Sequence, residues 1–297
     1  MSSVLHLVLP GQVIASSNSD ATNSDDQFLR GHGTYVERVE HEDRLVASVC
    51  GTIQRINKLI TVVPFATSTY QGHVGDLVIG RVTAVGANRW KVRLGAHLRE
   101  SQLPLSGVHL PGGVQRVRTA QDQRDMRQYL AEGDLISAEV HKVQPSDGSL
   151  MLHTRSFRYS KLENGCLVVV PPSLIPRRKN QIVTMIQDTL DVLWGCNGHI
   201  WIQRKLQLYE DSEKELATLQ ETIRKQHAET PVMPDERLSI ARLRNAIECL
   251  RLVHCIITTE RAEAIYNLSL ERKMRPAEML LPDNVITLTA SARHAQS

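Results

Sequence analysis

The sequence predicts a multidomain α+β protein. A small N-terminal β domain spans residues 1–72, a central β-barrel 73–157, and a C-terminal domain with a helical extension 158–297. Three observations lead there. A turn-and-strand phrase occurs twice in the middle third, as Gly75-Asp76-Leu77-Val78-Ile79-Gly80-Arg81-Val82 and as Gly133-Asp134-Leu135-Ile136-Ser137-Ala138-Glu139-Val140. Short β-branched runs broken by Gly and Asn turns fill much of the first 72 residues. The last third carries apolar residues at three- and four-residue spacing, which is the helical period.

In the N-terminal part, Val8-Leu9-Pro10-Gly11 reads as an extended segment closing in a turn. Residues 16–26 are polar and low in complexity. They hold too little apolar area to offset the entropy of ordering, so a mobile loop is expected. Gly31 and Gly33 flank His32 in a tight turn. Residues 45–50, 52–56 and 59–63 read as short strands separated by Gly51 and by Asn57-Lys58. No Ser, Cys or carboxylate is placed to form a triad with His32, which is assigned to the turn, packed on a neighbour.

In the middle third, each Gly-Asp is a turn signal, and each run after it reads Leu, aliphatic, small residue, polar residue, Val. Gly80 suits a bend where a strand curves round a barrel. Residues 90–94 and 149–153 are further candidate strands. The region is read as a closed five-stranded barrel of the OB type, framed by the two repeats; such barrels bind oligonucleotides on a strand face. Arg89-Trp90-Lys91-Val92-Arg93 alternates, so Trp90 and Val92 face one side and the three cations the other. Trp90 has two readings, a ring stacked on a base or a piece of the core. Only 4% of residues are aromatic, which favours phosphate contact over base stacking as the main binding mode. Leu110-Pro111-Gly112-Gly113 is a turn, followed by Arg116 and Arg118. Thr119-Ala120-Gln121-Asp122 has the form of a capping box and starts a short helix to about Tyr129, with Arg124 and Arg127 near one face.

Further on, residues 166–170 form a short strand ended by Pro171-Pro172, and Arg177-Arg178-Lys179 is a basic loop. Residues 190–194 and 199–202 are strands around Gly195-Cys196-Asn197-Gly198. A Gly-x-x-Gly loop beside strands and helices marks a KH domain; the four-residue signal is weak alone and stronger behind an OB barrel. Tyr209, Ser212, Leu216, Leu219 and Ile223 form one packed helix face, ended by Pro231 and Pro234. Ile240, Leu243, Ile247, Leu250 and Ile257 form the next stripe, widened by Ala246, Cys249, Val253 and Ile256, so that helix should be buried on more than one side. The tail after Pro282 has no strong pattern.

The charge is uneven. Residues 74–161 hold 13 Lys and Arg against 8 Asp and Glu, whereas the first 73 residues are net −2 and the remainder is neutral. The surplus sits on the barrel, where a polyanion would bind. Five cysteines without a CxxC pair fit a reducing compartment and inert thiols. Metal-ligand spacing is absent, so no cofactor is expected. Metal-dependent hydrolysis needs clustered carboxylates. Those of the barrel are scattered, and Asp76 and Asp134 serve turns, so no catalysis is expected. No apolar run nears the ~18 residues of a membrane span. Residues 4–8 are too short for a signal core, so a soluble intracellular protein with no membrane partner is expected.

Several phrases then occur together and in order. They are Val8-Leu9-Pro10-Gly11, Arg30-Gly31-His32-Gly33-Thr34-Tyr35, Arg55-Ile56-Asn57-Lys58-Leu59-Ile60, Val74-Gly75-Asp76-Leu77, Arg89-Trp90-Lys91-Val92, Leu110-Pro111-Gly112-Gly113, the second Gly-Asp-Leu copy, Leu152-His153-Thr154-Arg155 and Arg242-Leu243-Arg244-Asn245. On these residues, the chain resembles the RNA exosome cap subunits of the ribosomal-RNA-processing-protein-four type, from Val8 to about Leu270. The resemblance implies an N-terminal β domain docked on a ring of RNase-PH-like subunits, an OB barrel lining the channel mouth, and a KH domain. It implies a non-catalytic RNA-binding role in 3′-to-5′ processing and decay, including rRNA maturation, in nucleus, nucleolus and cytoplasm. Other cap subunits and associated exoribonucleases are the further implied partners. Gly195, Asn197 and Gly198 are implied to be structural rather than RNA-clamping. His73, Thr69 and residues 180–188 depart from the family pattern, which touches ring docking and the KH surface.

The expected RNA contacts are Arg81, Arg89, Trp90, Lys91, Arg93, Arg116, Arg118 and Arg155. Ring docking is expected on the β surface around residues 46–63. The same barrel also suits a free-standing, ribosome-associated RNA binder; co-purification with a ring assembly separates the two. A 3′ exoribonuclease is the other alternative, separated by whether the pure protein shortens RNA.

Overall fold

The computed structural model describes residues 7–18, 28–39, 42–64, 70–96, 98–108, 119–144, 148–155, 159–206, 222–223 and 225–294. Two compact units divide the chain, Met1–Thr67 and Ser68–Ser297.

The first unit contains β1 (Leu7–Val8), β2 (Val13–Asn18), β3 (Leu29–Arg30), β4 (Thr34–Val39), β5 (Glu42–Ala47), β6 (Gly51–Ile56) and β7 (Leu59–Pro64). They form two sheets, ordered β1-β6-β7-β3 and β2-β5-β4. Val8, Ala47 and Val62 make its core. The Gly31-His32-Gly33 turn lies along β7. The Gly31 N–H donates to the Ile60 carbonyl (2.9 Å) and the Val62 N–H to that of His32 (2.9 Å). A Cβ on Gly31 would stand 2.5 Å from the Ile60 oxygen, so a side chain is excluded there. His32 itself is exposed rather than packed. The expected loop at residues 16–26 needs a correction. Ser16 and Ser17 belong to β2 and pair with Arg44 and Asp43, because the backbone ladder with β5 holds them despite their polar side chains. Residues 19–26 lie outside the described residues.

The second unit opens with the barrel. Its elements are β8 (Leu77–Val85), β9 (Arg89–Arg93), β10 (Ser101–Pro104), α1 (Ala120–Arg124), α2 (Met126–Tyr129), β11 (Leu135–Val143) and β12 (Leu150–His153). The strands close in the order β10-β12-β11-β8-β9, and only the β10–β12 pair is parallel. The two repeats are each other's partners. Ile79 pairs with Ser137, its own equivalent in the second copy. The Gly75 N–H donates to the Val140 carbonyl (2.9 Å) and the Gly133 N–H to that of Val82 (2.8 Å). Both glycines have positive φ, +88° and +97°, which is why each turn carries Gly. Gly80 serves packing rather than a bend: a Cβ would lie 2.4 Å from Val92 Cγ1 and 2.7 Å from Leu94 Cδ2. The irregularity of β8 falls later, between Val82 and Ala84. The Thr119–Asp122 capping box is formed, and the helix breaks at Asp125 into two short pieces.

Behind the barrel, β13 (Gly165–Val169), β14 (Ile182–Met185), β15 (Leu190–Trp194) and β16 (His199–Arg204) form an antiparallel sheet ordered β13-β16-β15-β14. Three helices follow, α3 (Pro234–Leu252), α4 (Thr259–Glu271) and α5 (Pro282–His294). Val168, Val192, Trp194, Ile200 and Ile202 share one core with Leu243, Ile247, Leu250, Ile265 and Leu288 of the helices. Leu193 and Trp201 instead share a core with Leu77, Ile79 and Leu162. The sheet is therefore packed on both faces, helices on one and barrel on the other.

Two expectations change here. The tail after Pro282 is helical: Pro282 starts α5, and Val285, Leu288 and Thr289 are buried. The stripe ending at Ile257 outruns its helix. The chain leaves α3 after Leu252 through His254 at φ +53°; Ile256 is exposed, and the Ile257 N–H donates to the Leu174 carbonyl (2.8 Å). The predicted face from Tyr209 to Leu219 lies outside the described residues. Among the described residues, no helix is long and apolar enough to cross a membrane.

Candidate nucleic-acid interface

Strand β9 sets the site. Its residues alternate exposed and buried, so Arg89, Lys91 and Arg93 point outward while Trp90 and Val92 point into the barrel. Arg81 of β8 pairs in register with Arg93 and is also exposed. Its guanidinium donates to the Gly133 carbonyl (2.7 Å), which fixes the head beside the second repeat turn. Arg89 donates to Gln102 Oε1 (2.8 Å). Arg99 is exposed just ahead of β10. It stands outside any strand, so alternation could not assign it a face. Arg155 is exposed just beyond β12.

One carboxylate sits among these cations. Glu100 accepts from Thr83 Oγ1 (2.9 Å) and lies 3.4 Å from Lys91 Nζ and 4.0 Å from the Arg93 guanidinium. The Thr83 hydroxyl, and after it the two cations, hold its carboxyl below the usual range.

One expected contact, Trp90, does not stand as predicted. Trp90 is 0% exposed and its Nε1 donates to the Leu130 carbonyl (3.0 Å). It is core, because a tryptophan at an inward position of a narrow barrel fills the space between strands and needs one partner for its N–H. It cannot stack on a base. Arg116, Arg118 and the Leu110-Pro111-Gly112-Gly113 turn lie outside the described residues.

The Gly195-Cys196-Asn197-Gly198 loop joins β15 to β16 and is seated on the barrel. Asn197 is 5% exposed. Its Nδ2 donates to the carbonyls of Ile79 (2.8 Å) and Leu94 (2.7 Å), and its Oδ1 accepts from the Ile79 N–H (3.2 Å). The Cys196 N–H donates to the Leu77 carbonyl (2.8 Å), and Gln181 Oε1 accepts from the Leu77 N–H (3.0 Å). The β8–β9 pairing begins only at Arg81. The loop thus satisfies the edge of β8 that β9 leaves open. Both glycines are required. Gly198 has φ +88°, and a Cβ on Gly195 would lie 2.5 Å from the His199 oxygen. Burial raises the Cys196 thiol to about 11, with the Asp76 carboxylate adding to it.

The basic loop after β13 is also engaged. Arg177 pairs with buried Asp76 (3.2 Å) and lies 2.7 Å from His73 Nδ1. Tyr70 donates its hydroxyl to the same carboxylate (2.7 Å). Arg178 stacks on Trp194, 4.2 Å from the ring centroid, and donates to the Ile257 carbonyl (3.0 Å). Among the described residues, no group of three or more His, Cys, Asp and Glu side chains is arranged to hold a metal ion.

Family profiles described as "Exosome complex exonuclease RRP4 N-terminal region", "RRP4, S1 domain" and "KH domain" match residues 22–56, 69–142 and 165–207. The chain is 40% identical over 279 residues to exosome complex component RRP4 of Bos taurus, spanning 94% of this chain and 86% of that protein. It is 44% identical over 246 residues to the Mus musculus protein of the same name, spanning 82% and 75%. It is 35% identical over 280 residues to the RRP4 homolog of Arabidopsis thaliana, spanning 90% and 84%. A barrel framed by paired repeats, the KH-type sheet behind it and this degree of identity over nearly the whole chain lead to one conclusion: the chain belongs to the exosome complex component RRP4 family.

Proposed function

We propose that this chain is a non-catalytic, RNA-binding cap subunit of the RNA exosome, guiding single-stranded RNA toward nucleases elsewhere in the complex for 3′-to-5′ processing and decay. The observation that carries the reading is the outer face of the barrel, where Arg81, Arg89, Lys91 and Arg93 present cations from two adjacent strands. An unbranched row of cations on a rigid sheet tracks a phosphate backbone without reading bases. Family membership supports the complex as the setting. RNase-PH-like ring subunits, the other cap subunits and associated exoribonucleases are its partners, in the nucleus, nucleolus and cytoplasm.

The N-terminal unit is the ring-docking part. The surface expected around residues 46–63 is half core: Val46, Ile60 and Val62 are buried. The apolar residues left in solvent are Ile56 (67% exposed), Leu59 and Leu29 (61%), which neighbour one another across β6, β7 and β3. A patch of this kind suits a protein partner.

The test is charge reversal. The triple variant Arg89→Glu, Lys91→Glu, Arg93→Glu should bind a labelled single-stranded oligoribonucleotide far more weakly. Its log K against log salt slope should flatten by roughly 0.7 per lost phosphate contact. Unchanged affinity and slope would sink the assignment. In the same preparation, the pure chain should leave the RNA full length with and without magnesium and phosphate.

A further inference from the structure

Glu100 stands where the proposed RNA face would place a phosphate. Thr83 Oγ1 gives it a hydroxyl donor at 2.9 Å, Lys91 an ammonium at 3.4 Å and Arg93 a guanidinium at 4.0 Å. These are the donor types that hold a phosphodiester oxygen. The donors come from two adjacent barrel strands, Thr83 from β8 and Lys91 and Arg93 from β9, and Glu100 reaches them from the residue ahead of β10. Lys91, Arg93 and Glu100 all remain partly open to solvent, with side chains 57%, 59% and 38% exposed. A competing anion can therefore reach the seat. Glu100 itself is only half-buried, and its side-chain contacts are with Thr83, Lys91 and Arg93.

We infer that Thr83, Lys91 and Arg93 form a phosphate seat that the chain's own Glu100 occupies when RNA is absent, and that this carboxylate sets how tightly the barrel holds RNA. The inference rests on the RNA-binding reading above. Its physical content is competition. A phosphate entering the seat must displace or crowd a negative charge that already accepts from Thr83 and pairs with Lys91 and Arg93. Binding at this one position is thereby weakened while the rest of the cationic row is untouched. A strand that must slide past the barrel gains from such a weak step, since a seat that grips each phosphate fully would hold it in place.

The experiment compares the full chain with Glu100→Gln and with Glu132→Gln. Glu132 is also on the barrel unit, is exposed and pairs with Arg127 rather than with Lys91 or Arg93, so its removal makes the same change in net charge without touching the Thr83, Lys91 and Arg93 set. Binding of a fluorescent single-stranded oligouridylate is titrated from low to physiological salt. Glu100→Gln should tighten binding roughly three- to tenfold at low salt and steepen the salt slope by about 0.7, one additional phosphate neutralised. Glu132→Gln should do neither. Equal gains in both variants would reduce the effect to net charge and overturn the inference. Weaker binding by Glu100→Gln would also overturn it, since Glu100 would then be holding Lys91 and Arg93 in position for RNA. A wild-type chain with no salt-dependent RNA binding would be a failure of the RNA-binding reading itself, visible before any variant is compared. Thermal melts of the three proteins establish that each is folded at the temperature used.

Discussion

At the scale of single residues, the barrel separates what looks functional from what is structural. Trp90 is the clearest case. From alternation alone its face was visible, but which face was inside was not, since Trp90 and the flanking cations give the same pattern either way. The Nε1 bond to Leu130 decides it. Trp90→Leu should lower stability by about 3 kcal/mol through the cavity and the lost donor. RNA affinity of the folded protein should not change when measured well below the melting temperature. A stacking role would instead cost ~1–3 kcal/mol of binding per base, so a titration beside a melting curve separates the two. Arg177 and Asn197 were equally hard to assign, for a different reason. Their partners lie 101 to 118 residues away in sequence, and no local pattern encodes such a pairing.

At the scale of elements, the Gly195–Gly198 hairpin and strand β8 are the coupled pair. Asn197 stands in for a neighbouring strand, supplying one acceptor and two donations to a backbone edge that would otherwise be buried and unpaired. Asn197→Ala would leave the Ile79 N–H and the Leu94 carbonyl without these partners. It should cost about 3 kcal/mol, seen as a drop of roughly 6–12 °C in the melting temperature. An unchanged melt would mean that water replaces the side chain at no cost. Legibility differed sharply between elements. The Gly-Asp-Leu strands announced themselves, because an obligatory left-handed glycine precedes a β-branched run. β10 did not: its four residues, Ser101-Gln102-Leu103-Pro104, contain one large apolar side chain and end in proline. β14 was hidden by its turn. Ile186, Gln187 and Asp188 all take positive φ without a glycine, so the usual hairpin signal is missing. α5 was hidden because only its Val285, Leu288 and Thr289 are buried before the last turn.

At the scale of the whole molecule, acid stability follows from three histidines, His227 buried and His153 and His199 half-buried. Burial holds His153, His199 and His227 below the ordinary histidine value. The fold therefore prefers them neutral, while the unfolded chain protonates them near ~6.5. Their contribution is complete above that pH. It is lost as pH falls from there toward the folded values, because the unfolded state takes up protons that the native state refuses. Calorimetry should find a lower melting temperature at pH 5.5 than at pH 7.5, and an equal or higher one would contradict this account. The division of the chain into a small β module, a barrel and an α/β region was readable from composition and period. That the barrel and the C-terminal sheet make one body was not, since Leu77, Ile79, Leu193 and Trp201 read as ordinary strand residues until they are seen sharing a core. The paired repeats carry a last implication, for biosynthesis. Each copy closes on the other through the same contacts read in opposite directions, so a half-made chain emerging from the ribosome displays an edge that nearly fits itself. Prompt synthesis of the second copy is therefore expected to keep the pairing within a single polypeptide.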